Sequence, residues 1–82
     1  MIRVLFFAGL REQLGCAEME VAAAGASTLA ELRESLSARG DRWRRALANP
    51  NIQMAVNRSV AAADCALASG DEVALFPPVT GG

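Results

Sequence analysis

The sequence predicts an α+β domain built on a mixed sheet of four to five strands, with one main helix across one face. Three observations support this prediction. The chain has only 82 residues, which is enough for a single hydrophobic core. Short segments with alternating apolar residues occur both before and after one amphipathic helix. This order favours α+β architecture over a repeated strand–helix–strand unit.

The first part of the chain contains two predicted strands. Residues 2–8 carry apolar side chains at both parities, as expected for a strand with two apolar faces, and Gly9 is expected to end it. Residues 10–14 predict one helical turn before Gly15. Residues 19–22 predict a second strand that pairs antiparallel with the first.

The main helix has the clearest signals in the chain. Thr28 and Glu31 form a capping box, in which the Thr28 hydroxyl accepts from the Glu31 amide and the Glu31 carboxylate reaches back to Thr28. The apolar stripe that follows with helical spacing consists of Leu29, Leu32 and Leu36. Arg39 suits the negative end of the helix dipole, and Gly40 is expected to end the helix in the left-handed conformation.

A short second helix and a turn are predicted next. Asp41 is expected to cap a helix over residues 42–47, in which Trp43 packs against Leu47 four residues later. Residues 49–51, with the sequence Asn-Pro-Asn, predict a turn.

The remaining elements are strands. Residues 52–56 alternate as expected for a strand in which Ile52, Met54 and Val56 face the core. Asn57 and Arg58 predict a hairpin turn into a short strand near Val60. Residues 72–76 predict the last strand, and the two prolines that follow are expected to end it.

A sheet that a helix covers on one side only, the β-grasp arrangement, exposes its other face. By strand parity, Phe7 and Phe76 lie on that outer face. If the first and last strands are neighbours, the two rings form one apolar patch with Leu5 and Val60. Contiguous apolar patches usually mark interaction sites, so this patch is predicted to bind a partner.

Composition excludes most catalytic centres. The chain has no histidine, which rules out a His-based triad, a His general base and a His-bearing metal site. Cys16 and Cys65 cannot form a zinc site alone, and we expect them to be small apolar fillers rather than persulfide carriers. We therefore expect no bound metal or cofactor, and a domain that is not catalytic alone.

Charge and hydropathy exclude further classes of partner. The net charge is −1, and all eight cations are arginine. Half of them lie within residues 39–45, where we expect a solvated helix end, because a nucleic-acid site would need interleaved aromatic residues or a basic domain. No apolar run approaches the roughly 18 residues of a membrane span, and no signal peptide is evident. We expect a cytoplasmic domain that binds neither nucleic acid nor membranes.

The strongest functional signal follows the last strand. The segment consists of Pro77, Pro78, Val79, Thr80, Gly81 and Gly82. A proline pair favours extended polyproline geometry, and two glycines fit a channel too narrow for other residues. A terminal carboxylate is a poor electrophile and reacts only after activation, for example as an acyl-adenylate. We predict a domain over residues 1–76 and an extended tail over residues 77–82 that presents this carboxyl group.

These features resemble the ubiquitin-like sulfur carriers, and among them the small subunits of molybdopterin synthase. The matching segments are residues 1–8, 11–12, 41–43, 55–57, 70–74 and 76–82. They run from one end of the chain to the other, and the last segment is highly specific. Residues 16–25 and 64–67 match little of the family pattern.

The resemblance implies a role in molybdenum cofactor biosynthesis. Gly82 would be adenylated by an E1-like enzyme that uses ATP, and a sulfur donor of the cysteine desulfurase or rhodanese type would convert it to a thiocarboxylate. Within a heterotetramer, the large catalytic subunit of the synthase would receive the tail, and sulfur would pass to cyclic pyranopterin monophosphate. The implied partner contacts are Gly81, Thr80, Val79, Pro78, Pro77, Phe76, Phe7 and Val60, with Arg11 at the edge.

Three alternatives remain open on the sequence. A sulfur carrier for another pathway, such as thiamine synthesis, would also end in Gly-Gly. A ubiquitin-like modifier would join the same terminus to lysines of target proteins. An inert β-grasp interaction module would have a tail without chemical consequence. The sequence Phe-Pro-Pro-Val-Thr before the two glycines favours the molybdopterin synthase subunit.

Overall fold

The computed structural model describes residues 1–22 and 28–77, which fold into a sheet and three helices. In chain order the elements are β1 (Ile2–Phe6), α1 (Ala8–Leu14), β2 (Glu18–Val21), α2 (Leu29–Ser37), α3 (Asp41–Leu47), β3 (Gln53–Val56), β4 (Ser59–Val60) and β5 (Glu72–Phe76). The predicted order of elements is confirmed. The clearest differences from prediction lie in α1 and in the junction between α2 and α3.

The strands form one five-stranded mixed sheet in the order β2-β1-β5-β3-β4. The first and last strands, β1 and β5, are parallel neighbours at its centre. The pairs β1–β2, β3–β5 and β3–β4 are antiparallel. Side chains from all three helices pack against one face of this sheet. The described residues therefore have the β-grasp arrangement that the sequence predicts.

The hydrophobic core lies between that inner face and the helices. The sheet contributes Ile2, Val4, Phe6, Met54, Val73 and Leu75, and the helices contribute Leu10, Leu14, Leu29, Leu32, Leu36, Ala46 and Leu47. The three leucines of α2 confirm the predicted apolar stripe. Because β1 and β5 alternate buried and less buried positions, their other side chains are directed to the outer face.

Trp43 lies half-buried at the margin of the core. Its ring meets the ring of Phe6 edge-on, with centroids 5.5 Å apart and planes at 71°. The Arg39 guanidinium lies 5.2 Å from the Trp43 centroid. The aromatic partner of Trp43 thus belongs to β1, and the contact with Leu47 that helical spacing predicts stays a prediction. Such an edge-on pair adds about 0.5–1.5 kcal/mol to the burial of area.

The segment after β1 differs from the prediction. Gly9 lies inside α1, which has seven residues rather than a single turn, so this glycine does not end the strand. The chain leaves the sheet at Ala8, whose φ of 52° is left-handed. Burial of Leu10 and Leu14 stabilises the helix despite the low helix propensity of glycine. Gly15, at φ 66°, ends α1.

The capping box at the start of α2 is confirmed in its main bond, because the Thr28 hydroxyl accepts from the Glu31 amide at 3.2 Å. The same hydroxyl lies 3.2 Å from the Glu31 carboxylate, to which it donates. The Thr28 hydroxyl therefore bonds both the amide and the carboxylate of Glu31.

The prediction for the junction of α2 and α3 is wrong in two details. α2 ends at Ser37, followed by Ala38 in the right-handed conformation, so Gly40 is not its left-handed terminator. Gly40 instead precedes α3 with φ 157°, and Asp41 is the first helical residue rather than the cap. The physical reason is the shortness of the connection, in which a residue without a side chain turns the chain directly into α3.

Arg33 on α2 ties the end of α3 to the turn that leads into β3. Its guanidinium donates to the carbonyl of Leu47 from Nε at 3.0 Å and from Nη2, and to the carbonyl of Asn49 at 2.6 Å. The last carbonyls of a helix lack partners within the helix, so this cation satisfies them. The side chain of Asn49 accepts from the Asn51 amide at 2.9 Å, which confirms the predicted turn.

We expect Arg33→Ala to lower the free energy of unfolding by about 1–3 kcal/mol, because two carbonyls lose a charged donor. Arg44→Ala is the matched control. It removes a guanidinium whose ion pair with Asp41 is exposed, and it should cost less than about 1 kcal/mol. Urea denaturation followed by circular dichroism measures both values. Equal losses from the two variants would contradict the role assigned to Arg33.

Candidate functional site

The outer face of the sheet carries a continuous apolar row across four strands. Leu5 on β1 lies beside Ala74 on β5. Ala74 lies beside Ala55 on β3, and Ala55 lies beside Val60 on β4. These positions share one face because residues paired across a sheet point the same way. The row joins the first strand to the last hairpin through the centre of the sheet.

Two phenylalanines extend this row toward the edge at which β5 ends. Phe76 is the last residue of β5, opposite Gln53. Phe7 follows β1 directly, and its amide donates to the Leu75 carbonyl at 3.2 Å. We call the whole surface the outer patch; it consists of Leu5, Phe7, Ala55, Val60, Ala74 and Phe76.

The outer patch has the properties of an interface. Phe7 is 46% exposed and Val60 is 70% exposed, while Phe76 and Leu5 are half-buried. Removing one such side chain from water contributes about 1.5–3 kcal/mol. The two alanines at the centre of the patch have short side chains, so a partner's side chains can approach the backbone there. The structure thus brings together the three apolar site residues predicted from the sequence, although their binding role stays a prediction.

Ala55 and Ala74 belong to this surface although the sequence patterns did not predict them there. Ala74 alternates with the buried Val73 and Leu75 in β5, and that alternation is the signal that could have identified it. Ala55 is itself buried beside the buried Met54, so only its pairing with Ala74 and Val60 shows that it belongs to this row. Arg11, the predicted polar contact, is exposed on α1 and does not lie on the sheet face. Its contact with a partner stays a prediction.

The root of the tail lies at the edge of the sheet where β1 and β5 both end. Pro77 follows β5 there and lines an open groove of about 310 Å³ together with Gly9, Leu10, Gln13 and Arg45. The predicted partner contacts Pro78, Val79, Thr80, Gly81 and Gly82 lie outside the described residues. The structure thus places the two phenylalanines of the outer patch and the start of the tail at one edge.

The opposite edge is held by a polar network that the sequence did not predict. The Asp71 carboxylate accepts from the Ala68 amide at 2.8 Å and from the Asn57 side-chain amide at 3.1 Å. The side-chain oxygen Oδ1 of Asn57 accepts from the Glu72 amide at 3.1 Å. The Ala68 amide first, and the Asn57 side chain second, hold the pKa of Asp71 below its ordinary value of 3.8.

The same network fixes the hairpin between β3 and β4. Asn57 and Arg58 have φ angles of 50° and 72°. Two successive left-handed residues form the turn whose twist suits a two-residue hairpin, which confirms the predicted turn. The bonds from Asn57 to Asp71 and Glu72 compensate for placing two residues other than glycine in this conformation.

Asp71→Asn should lower the free energy of unfolding at neutral pH. The variant should then lose less of that free energy than wild type when the solution is acidified. Because the folded-state pKa lies below the unfolded value, the carboxylate stabilises the fold fully above that value, and this contribution is lost as pH falls through the folded pKa. Urea midpoints of wild type and variant should therefore converge below about pH 4. Asp64→Asn changes an exposed carboxylate and is the control. A constant difference between wild type and Asp71→Asn at all pH values would contradict this role.

The described residues contain few other candidate groups. Cys16 and Cys65 are free and half-buried beside the core, with their thiols near the carbonyls of Glu18 and Ala66. Within residues 1–22 and 28–77, no cluster of three potential ligands from His, Cys, Asp and Glu could hold a metal ion. No helix in those ranges has the length and apolar character needed to cross a membrane.

Fold and site together define a ubiquitin-like β-grasp domain whose exposed apolar sheet face adjoins the root of its terminal segment. Residues 4–82 match the model of the ThiS family. Since the match covers nearly the entire chain, the chain belongs to the ThiS family.

Individual relatives agree with this assignment. The chain is 49% identical to the molybdopterin synthase sulfur carrier subunit of Escherichia coli (strain K12), over 100% of both chains. Among solved structures it is 31% identical to SAMP1 from Haloferax volcanii, with a TM-score of 0.78 over 99% of this chain and 98% of that one. It is 26% identical, with a TM-score of 0.69, to a chain in the complex of subunits 1 and 2 of molybdopterin-converting factor from Helicobacter pylori 26695, covering 99% and 97% of the two chains.

Proposed function

We propose that this chain is the sulfur carrier subunit of molybdopterin synthase, and that the carboxyl group of Gly82 carries sulfur as a thiocarboxylate. The observation that carries the proposal is the 49% identity to a sulfur carrier subunit over the full length of both chains. The outer patch at the root of the tail supports it, because a partner that holds the patch also receives the tail.

The chemistry begins with activation of the carboxylate. On an E1-like enzyme, a Gly82 oxygen attacks the α-phosphorus of ATP, pyrophosphate leaves, and an acyl-adenylate forms. A sulfur donor of the cysteine desulfurase or rhodanese type carries a persulfide, and its terminal sulfur displaces AMP to form an acyl disulfide. A second thiol then cleaves the S–S bond, which releases the thiocarboxylate and leaves a disulfide between that thiol and the donor cysteine. ATP is thus a substrate of the activating enzyme, and the chain itself binds no cofactor.

Sulfur then passes to cyclic pyranopterin monophosphate inside the large catalytic subunit. Two such transfers build the dithiolene of molybdopterin, and each returns Gly82 to a carboxylate. A bound thiocarboxylate gains the proximity that a free terminus in solution lacks. The chain therefore supplies a reactant rather than a catalytic pocket, and it is non-catalytic alone.

The outer patch and the tail have separate roles in binding the partner. Residues 1–76 form the domain that docks, and residues 77–82 form the tail that enters the partner. Six residues after Phe76 reach at most about 20–22 Å, so Gly82 can lie far from the docking surface. The solved complex of subunits 1 and 2 from H. pylori, to which this chain is similar, supports docking on a large subunit. We propose a cytoplasmic heterotetramer with two small subunits.

Intact-mass spectrometry tests the proposal. The full chain is incubated with ATP, a sulfur donor and the activating enzyme, and is then mixed with the large subunit and cyclic pyranopterin monophosphate. We expect an oxygen-to-sulfur exchange at Gly82 that reverses as molybdopterin forms. Omission of ATP is the control. Exchange without subsequent molybdopterin formation would indicate a carrier for another pathway, such as thiamine synthesis.

A second candidate function is protein modification, which the similarity to SAMP1, the small archaeal modifier protein 1 of H. volcanii, favours. In that case the activated Gly82 would form an amide with a lysine of a target protein. The same mass experiment, with cell extract added, separates the two functions. An adduct joined through an isopeptide bond, without sulfur exchange, would favour the modifier.

A further inference from the structure

We propose that this chain is an acyl donor that excludes itself as an acceptor of its own activated carboxyl group. It has no lysine, and the amine of Met1 lies at the sheet edge opposite to the root of the tail. The inference rests on the proposed function, since only a carrier with an activated carboxyl group needs this protection.

The reaction to be avoided is aminolysis. A neutral amine attacks the carbonyl carbon of the activated Gly82, the leaving group departs, and the nitrogen loses a proton to solvent. The resulting amide is stable, so that copy of the carrier is lost. Lysine is the usual acceptor because its amine can deprotonate, whereas the arginine guanidinium stays protonated. All eight cations of this chain are arginine.

The remaining amine is fixed by the fold. The Met1 amino group donates to the Ser69 hydroxyl at 2.9 Å, and the Met1 carbonyl accepts from the Gly70 amide at 2.9 Å. β1 and β5 are parallel, with Arg3 opposite Glu72. Both strands therefore begin at the edge that holds Met1, and both end at the edge where Pro77 lies.

The tail is too short to reach the Met1 amine. Met1 is level with Gly70, six residues before Phe76, and six residues of strand span about 20 Å. The six residues after Phe76 cover at most about 20–22 Å when fully extended. Because β5 points away from Met1, the tail must first reverse its direction, and a β-turn takes about four residues. Too few residues then remain to reach the amine.

Two exposed arginines provide a matched test of which positions the activated Gly82 can reach. Arg45 lines the groove that Pro77 also lines, so an amine at position 45 is within reach of the tail. Arg58 lies in the β3–β4 turn, beside Asn57, whose bond to Asp71 places it at the edge near Met1. Arg45→Lys and Arg58→Lys keep the charge and each adds one amine, so they differ mainly in distance from the tail.

The experiment uses the full 82-residue chain with a thioester at Gly82, made by intein cleavage, so that no activating enzyme is needed. Each dilute thioester is held at neutral pH, and mass spectrometry follows the internal amide, which is lighter by the departed thiol. We expect Arg45→Lys to form this amide at least about tenfold faster than wild type and Arg58→Lys, because only its amine is close. Fragmentation should locate the bond between Lys at position 45 and Gly82. Added free cysteine, an external acceptor, verifies that every thioester is reactive.

Two results would overturn the inference. One is formation of the internal amide by wild type or Arg58→Lys as fast as by Arg45→Lys. The other is its absence from Arg45→Lys while external cysteine still reacts. Failure of the proposed function is a separate result, because it appears as the absence of ATP-dependent sulfur exchange and does not alter the thioester reaction.

Discussion

Deletion of Gly82 is expected to abolish sulfur transfer while the domain keeps its thermal stability. The deletion moves the terminal carboxyl group back by about 3.3–3.6 Å, whereas a misplacement of about 1 Å can already cost about 100-fold in rate. The buried hydrophobic residues of the described chain lie between Ile2 and Leu75, away from the tail. The thermal midpoint should therefore change by less than about 2–4 °C, which corresponds to about 0.5 kcal/mol. Molybdopterin formation and differential scanning calorimetry measure the two effects.

Gly81→Trp is the companion variant because it keeps both the chain length and the terminal carboxyl group. It should also abolish transfer, since a bulky side chain cannot enter a channel that admits two glycines. Sulfur transfer by the truncated chain would contradict the role of Gly82. A large fall in the thermal midpoint of either variant would show that the tail contributes to the fold.

Alanine substitutions at the neighbouring Phe6 and Phe7 should have contrasting effects. The first should reduce stability, and the second should reduce binding of the large subunit. Phe6 is 1% exposed and its ring contacts Trp43, so Phe6→Ala should lower the free energy of unfolding by about 3–5 kcal/mol. Phe7 is 46% exposed on the outer patch, so Phe7→Ala should cost little stability. Its affinity for the large subunit should fall by about 30-fold or more, the loss of an interface hot spot worth about 2 kcal/mol.

Urea denaturation and isothermal titration with the large subunit separate these effects. Val60→Ala, at the far side of the outer patch, tests how far the interface extends, and a loss of affinity smaller than that of Phe7→Ala is expected. Unchanged affinity for Phe7→Ala would contradict docking through the outer patch. A large loss of stability in Phe7→Ala would instead indicate that this ring belongs to the core.

Local periodicity was sufficient to predict much of this site. Alternation in β1 and β5 separates Phe6 and Leu75, which are buried, from Phe7 and Phe76, which are not. It works because successive side chains of a strand point to opposite faces whatever the neighbouring strand is. The capping residues and leucine spacing of α2 were equally informative, since the helix period and the bond from Thr28 to Glu31 are local.

Predictions from single residues were less successful where tertiary contacts compete with propensity. Gly9 has a low helix propensity, yet it lies in α1 because Leu10 and Leu14 on the same helix are buried. Gly40 suits a helix end, yet a short connection uses it to start α3. At Gly9 packing outweighs a local preference of about 1 kcal/mol, whereas at Gly40 the length of the connection decides.

Residue patterns along the chain were enough to predict most of the elements, the two faces of β1 and β5, and the glycine-ended segment whose carboxyl group carries the proposed chemistry. Contacts between distant segments establish the rest. They place Leu5, Ala74, Ala55 and Val60 in one row. They also give Arg33 and Asp71 their roles in holding segments together, and put Met1 and Pro77 at opposite edges. The physical reason is that residue periodicity follows from the geometry of one segment. Strand neighbours and register, by contrast, follow from pairing between segments that meet only when the core forms.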